Sequence, residues 1–161
     1  MSASPPSFIL VGEDGGIVLT EPVHEVHLKI ALEKELVTVI RKRLPYETCG
    51  VIYGTKERGI IAADGFSLVR NASASPANTF SFHPEDWVSV YLQAQKNQRE
   101  IVGLFHSHPQ GSTAPSLLDE TGSVPWGTYW IVSIASDNHE IAAYRRDSQD
   151  NWICLPITRV S

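Results

Sequence analysis

Ile101-Val102-Gly103-Leu104-Phe105-His106-Ser107-His108-Pro109 runs apolar for five residues and closes on two histidines separated by one serine. A short apolar run bounded by a breaker reads as a buried β-strand. Side chains alternate along a strand, so His106 and His108 leave the same face. Pro109 has no N–H for a ladder and ends the strand. Two neutral imidazoles side by side form half of a zinc site. Next comes Gln110-Gly111-Ser112-Thr113-Ala114-Pro115-Ser116-Leu117-Leu118-Asp119. Its last five residues read as a helix start, where Ser116 and Asp119, three apart, share one face. Asp119 then offers a third ligand through oxygen. Three protein ligands leave one tetrahedral position open, the arrangement of a catalytic site rather than a structural one. With no Cys-x-x-Cys pair in the chain, a closed thiolate site is not available. Taken alone, Ser116 and Asp119 also fit a helix cap, and each histidine also fits a satisfied polar residue at a strand end.

The elements around this strand alternate in type. Phe8–Val11 and Ile17–Leu19 flank a glycine-rich turn and predict an N-terminal hairpin behind a loose tail. Val26–Ile30 predicts a short strand. Leu32, Leu36, Val37, Val39, Ile40 and Leu44 recur at helical spacing and predict a helix over 32–43, stopped by Pro45. Cys49–Gly54 and Gly59–Asn71 read as strands, and 71–78 as a loop. Pro84-Glu85-Asp86 opens a second helix, since proline and acids belong in a first turn. Thr128–Ala135, Glu140–Arg145 and Trp152–Ile157 read as further strands. No repeat is present, and strands and helices mix without a strict βαβ rhythm. The expectation is an α+β (mixed α/β) fold, with residues 1–22 as tail and hairpin and 23–161 as one domain.

Composition narrows the function. The 161 residues fall short of the ~250 a TIM barrel needs. Thirteen basic residues stand against 18 acidic ones, for a net charge of -5. The one basic cluster, Arg41-Lys42-Arg43, falls at a helix end, where cations complement the dipole. Nucleic acid is therefore not an expected partner. Two cysteines, Cys49 and Cys154, are too few for a disulfide scaffold. No apolar stretch suits a signal peptide or a membrane span, so a cytoplasmic location is expected. Cys49 reads as a small core residue, with a nucleophile as the rival reading. His83 belongs at a helix entrance, whereas His24, His27 and His139 show no partner in the pattern. The four tryptophans, at 87, 126, 130 and 152, are expected to anchor the core, with Trp126 also placed to line a groove.

His106-x-His108, seven residues, Ser116, two residues, Asp119 matches the signature of the JAMM (MPN-plus) metalloproteases at every fixed position. Pro45-Tyr46-Glu47-Thr48-Cys49-Gly50-Val51-Ile52-Tyr53-Gly54 resembles the family's segment after its first helix. Asn71 and Phe80-Ser81-Phe82-His83-Pro84 are similar too, so the resemblance extends over about Val26–Tyr144. It implies a mixed β-sheet flanked by helices with the site at a sheet edge. It implies Zn²⁺ on His106, His108 and Asp119, with a water completing the shell. Glu47 stands where the family keeps its catalytic glutamate, and Ser116 where a hydroxyl supports the oxyanion.

Members of the family hydrolyse peptide or isopeptide bonds, often just after a Gly-Gly tail. Only eight residues separate Asp119 from Thr128, leaving little room for an insertion there. The chain thus resembles the small prokaryotic members, which implies a ubiquitin-like or sulfur-carrier protein as substrate. A phage tail-assembly hydrolase and a non-catalytic MPN scaffold are the alternatives, although scaffolds lose the metal ligands that this sequence keeps. Oligomeric state is not encoded in any pattern we recognise.

Overall fold

A computed structural model of the chain describes residues 8–11, 17–20, 22–116 and 127–161. Its centre is an eight-stranded mixed sheet. The strands are β3 (Glu25–Lys29), β4 (Cys49–Glu57), β5 (Ile60–Val69), β6 (Glu100–His108), β7 (Tyr129–Ile134), β8 (His139–Arg146), β9 (Trp152–Leu155) and β10 (Ile157–Val160). Their order across the sheet is β10-β3-β5-β4-β6-β7-β8-β9. Two short strands, β1 (Phe8–Val11) and β2 (Ile17–Thr20), pair antiparallel as the expected hairpin. The fold is α+β, as the sequence predicts.

The two helices cover opposite faces. Helix α1 (Ile30–Lys42) starts two residues before its apolar period, directly out of β3, and ends with Arg41 and Lys42 in its last turn. Its Leu32, Leu36, Val37 and Ile40 pack with Val26, Ile52, Phe105 and Trp130 in one core cluster. Arg41 donates to the carbonyls of Ala135, Ser136 and Asn138. The basic cluster therefore closes a helix end against a turn. Helix α2 (Pro84–Lys96) begins where proline and acids predict. His83 caps it by accepting from the Asp86 N–H at 3.3 Å, the helix-entrance role read from its position before Pro84. Trp87, Val90 and Ala94 join Val51, Tyr53, Ile101 and Leu104 in the second cluster. Neighbouring residues of β4 thus serve opposite faces, Ile52 one and Val51 and Tyr53 the other, as strand alternation requires.

Strands β4 and β5 form a hairpin closed by Arg58 and Gly59, both at positive φ (51° and 76°). That is the two-residue turn whose twist suits antiparallel strands. Gly103 in β6 leaves room for the Trp130 indole of β7: an added Cβ would collide with Trp130 and Thr128. The indole donates to Thr128 Oγ1 at 3.0 Å, and that hydroxyl donates to the Val102 carbonyl at 2.7 Å.

Three expectations change. The single strand read over Trp152–Ile157 is two, broken at Pro156, which cannot donate to a ladder. After the break, β10 crosses to the far edge of the sheet and pairs parallel with β3. Of the tryptophans, Trp130 is fully buried while Trp87 and Trp152 are partly exposed against the second cluster, and Trp126 lies outside the described residues. His139 has a partner after all: it meets buried Glu33 at 2.9 Å, and Arg159 of β10 donates to the same carboxylate at 2.8 and 3.1 Å.

Candidate active site

The site forms at the end of β6, the fifth strand of eight. This corrects the expected position at a sheet edge. The two histidines end a central strand, so both neighbouring strands can hold them. β4 runs antiparallel to β6 with Cys49 opposite His106, and β7 runs parallel to it with Ser133 opposite His108.

Alternation puts both histidines on the α2 side of β6, as the His-x-His spacing predicts. Their Nε2 atoms face each other at 3.1 Å. His108 Nδ1 lies 2.6 Å from the Ser112 carbonyl oxygen. A carbonyl only accepts, so Nδ1 carries the proton, and in a neutral ring Nε2 keeps its lone pair for the site. The ring of Phe80 stacks on His106, centroids 4.2 Å apart and planes 16° from parallel. His106 is buried, while His108 is half-buried.

Glu47 precedes β4 and reaches the same place through main-chain links. Its N–H donates to the Pro76 carbonyl at 2.7 Å, and its own carbonyl accepts from Asn71 Nδ2 at 3.1 Å. Next door, the Thr48 N–H donates to Ser107 Oγ, and the Ser107 N–H returns a bond to the Thr48 carbonyl, both at 2.8 Å. Ser107, between the two histidines and fully buried, thus ties the segment that carries Glu47 to the strand that carries the histidines. Glu47, at 5% exposure, brings a carboxylate oxygen into one group with the two imidazoles, with all three ligand atoms within 4.8 Å of one another. The donor set N, N, O suits a divalent metal.

Cys49 is buried in β4, its thiol 3.3 Å from the Val69 carbonyl. Burial, with the nearby Glu47 charge second, pushes the thiol up to about 12. A protonated thiol is no nucleophile near neutrality, so the core reading holds.

Ser116 is exposed and lines a cleft of about 630 Å³ together with Glu47, His108, Leu44, Ala77 and Ala114. The segment leading to it is pinned at three successive carbonyls: Ser133 Oγ donates to Gly111, His108 to Ser112, and Tyr144 to Thr113, at 2.6, 2.6 and 2.8 Å. Asp119 and the helix start read after Ser116 lie outside the described residues. The structure therefore brings Glu47, His108 and Ser116 to one cleft, with buried His106 grouped beside Glu47 and His108.

Ser107, Ser133 and Tyr144 had no role in the sequence reading. For Ser107 a signal existed, since a lone serine inside an apolar strand asks for a buried partner.

The model of prokaryotic homologs of the JAB domain matches residues 29–147. The chain belongs to that family, the small prokaryotic branch of the JAMM/MPN proteins. It is similar to a desampylase of Haloferax volcanii, 35% identical over 90 residues, which are 55% of this chain and 63% of that protein. A desampylase of Pyrococcus furiosus is 30% identical over 86 residues, 53% of this chain and 58% of its own length. Tail tip assembly protein K of Escherichia phage N15 is 34% identical over 86 residues, 51% of this chain and 31% of that protein. The matches thus span less than two-thirds of each relative. The solution structure of protein DSY2949 from Desulfitobacterium hafniense superposes with a TM-score of 0.75 at 22% identity, covering 84% of this chain and 93% of that one, a likeness of fold. Among the described residues, no helix is long and apolar enough to cross a membrane.

Proposed function

We propose that the chain is a zinc-dependent isopeptidase or peptidase that cuts after the Gly-Gly tail of a ubiquitin-like or sulfur-carrier protein. The observation that carries this reading is the meeting of Glu47, His106 and His108, their ligand atoms within 4.8 Å of one another, with Glu47 and His108 lining an open cleft. Tetrahedral Zn–N bonds of about 2.0–2.1 Å put two nitrogens about 3.3 Å apart. The 3.1 Å between the imidazoles is within a few tenths of that. The fixed tautomer of His108 suits a ligand, and Asp119 completes the set by its place in the family motif.

His106, His108 and Asp119 would hold Zn²⁺, which would supply Lewis acidity and lower the pKa of a water to about 7. Glu47 accepts the proton of the attacking water and passes it to the leaving amine, a shuttle that suits a buried carboxylate. Ser116, on the cleft wall, donates to the oxyanion as it develops. Two relatives bear the name desampylase. The phage tail tip relative supports a second reading, a hydrolase of tail assembly. A scaffold without chemistry fits least, because the base and both histidines converge.

The test is mass spectrometry of a Gly-Gly-ending ubiquitin-like protein carrying a C-terminal extension. Incubation should remove the mass beyond the second glycine, a chelator should stop it, and added zinc should restore it. A zinc-loaded, folded protein that leaves linear and isopeptide-linked versions intact refutes the reading.

A further inference from the structure

Asn71 follows β5 and is the hub of the segment that faces the site. Its Nδ2 donates to the Glu47 carbonyl at 3.1 Å and to the Thr79 carbonyl at 3.0 Å. Its Oδ1 accepts from the N–H groups of Ser73 and Ser81, both at 3.0 Å. Thr79 and Ser81 are the two neighbours of Phe80, whose ring lies flat on the His106 imidazole. One amide therefore grips the chain on both sides of Phe80 and, with its other reach, the main chain of Glu47. The neck of the segment is closed independently by Ala72 N–H to the Ser81 carbonyl at 2.7 Å and His83 N–H to the Arg70 carbonyl at 2.9 Å. A loop already closed at its neck does not need a side-chain bond to Glu47 for its own shape.

We propose that Asn71 is a positioning residue for the reaction: its amide locks the distance between the Glu47 carboxylate and the His106 ring by fixing the Glu47 main chain and the Phe80 stack together. The proposal rests on the function given above for the role of Glu47, but not for the geometry. An oriented base is worth its full effect only within a narrow range of distance. Partners one step removed from a metal-site ligand typically contribute about 10–100-fold to activity or metal affinity.

Asn71→Asp separates the two halves of the amide. Aspartate still accepts from Ser73 and Ser81, so the local turn survives. When ionised it cannot donate to Glu47 or Thr79. We expect the variant to stay folded and hold zinc at the wild-type ratio, with kcat down about 10–100-fold and KM within about twofold. In the metal-free protein, the imidazole C–H proton resonances of His106 lie upfield because of the Phe80 ring, and should move downfield in the variant. Phe80→Leu gives the position of that resonance without a stack. Asn71→Ser, which is uncharged but too short to reach both partners, should repeat both effects if the aspartate proves unstable. Wild-type kcat together with an unmoved His106 resonance in a folded variant overturns the proposal. If the wild-type protein cleaves no Gly-Gly substrate, the function falls, and the His106 resonance alone decides the role of Asn71.

Discussion

Replacing Glu47 by glutamine removes a proton acceptor and leaves the main-chain anchors of residue 47 in place. The main chain of residue 47 is held from Pro76 and Asn71, and neither bond involves the Glu47 side chain. Glutamine keeps the volume of a side chain that is 5% exposed. A purely structural glutamate would therefore lose little activity on this change. A general base loses about 10²- to 10⁴-fold, or about 2.7–5.4 kcal/mol of barrier at about 1.36 kcal/mol per decade. The Glu47→Asp variant keeps the chemistry but draws the carboxylate back by about 1.5 Å, one carbon–carbon bond. A misplacement of about 1 Å costs on the order of 10², so this variant should also be slow. Steady-state cleavage of the Gly-Gly fusion, with zinc content and melting temperature measured on the same samples, reads all three quantities. Both variants should hold zinc. Wild-type turnover by Glu47→Gln would remove the base assignment. Loss of zinc from folded Glu47→Gln would instead make Glu47 a ligand, a role its place beside both imidazoles permits.

Ser116→Ala should lower kcat by about 10²–10³-fold with an unchanged melting temperature if the hydroxyl serves the oxyanion; Ser116→Asp should be equally slow, whereas an active aspartate variant leaves only a helix-capping role. Native alkylation at pH 7 followed by peptide mapping should label exposed Cys154 and spare Cys49, whose thiol is pushed up to about 12; rapid labelling of Cys49 in folded protein contradicts its burial. The Glu33 carboxyl is held below its ordinary range by the bond from Arg159 first, then by His139. Being lowered in the folded state, it stabilises the fold fully above the unfolded value of about 4.3, and that contribution is lost as pH falls through the folded value. Urea unfolding between pH 7 and 3 should show this acid loss, and Glu33→Gln should flatten it; an unchanged slope refutes the role.

Local patterns were the legible part of this molecule. The His106–His108 pair, both helices and seven of the eight strands of the main sheet follow from periodicity and breakers within short windows. The eighth was hidden because Ile153, Leu155 and Ile157 look like one alternating run. Only Pro156 marks the break, and a proline inside a β pattern is the sign to heed. Pairings between distant strands were not legible, because registers such as β10 on β3 arise from the whole sheet and leave no local mark. Glu47 is a similar case. Its residues read as a helix-end acid, and the family resemblance, not any spacing, picked it out. Asn71 is marked in the sequence only by the family resemblance, and its role is not legible there, since its four bonds join positions up to 24 apart.

The antiparallel pairing of β4 with β6 explains why Glu47 and the two histidines meet at all. Glu47 stands just before the first residue of β4, and the histidines stand at the last residues of β6. Antiparallel strands put the start of one beside the end of the other, so the two chemistries share one end of the sheet. Register then matters, because a slip of one residue turns every side chain to the opposite face. From Cys49–His106 to Ile52–Gly103 the register is unbroken, and the irregularities fall beyond, at Ile52/Tyr53 and Tyr53/Gly54. Both irregularities thus lie away from the site. Gly50 guards the same stretch: a Cβ there would strike the Ser67 carbonyl on one neighbour and the Phe105 ring on the other. The parallel partner β7 completes the arrangement. It ends alongside β6, so Ser133 can hold the chain that leaves His108 and carries Ser116 back across the cleft.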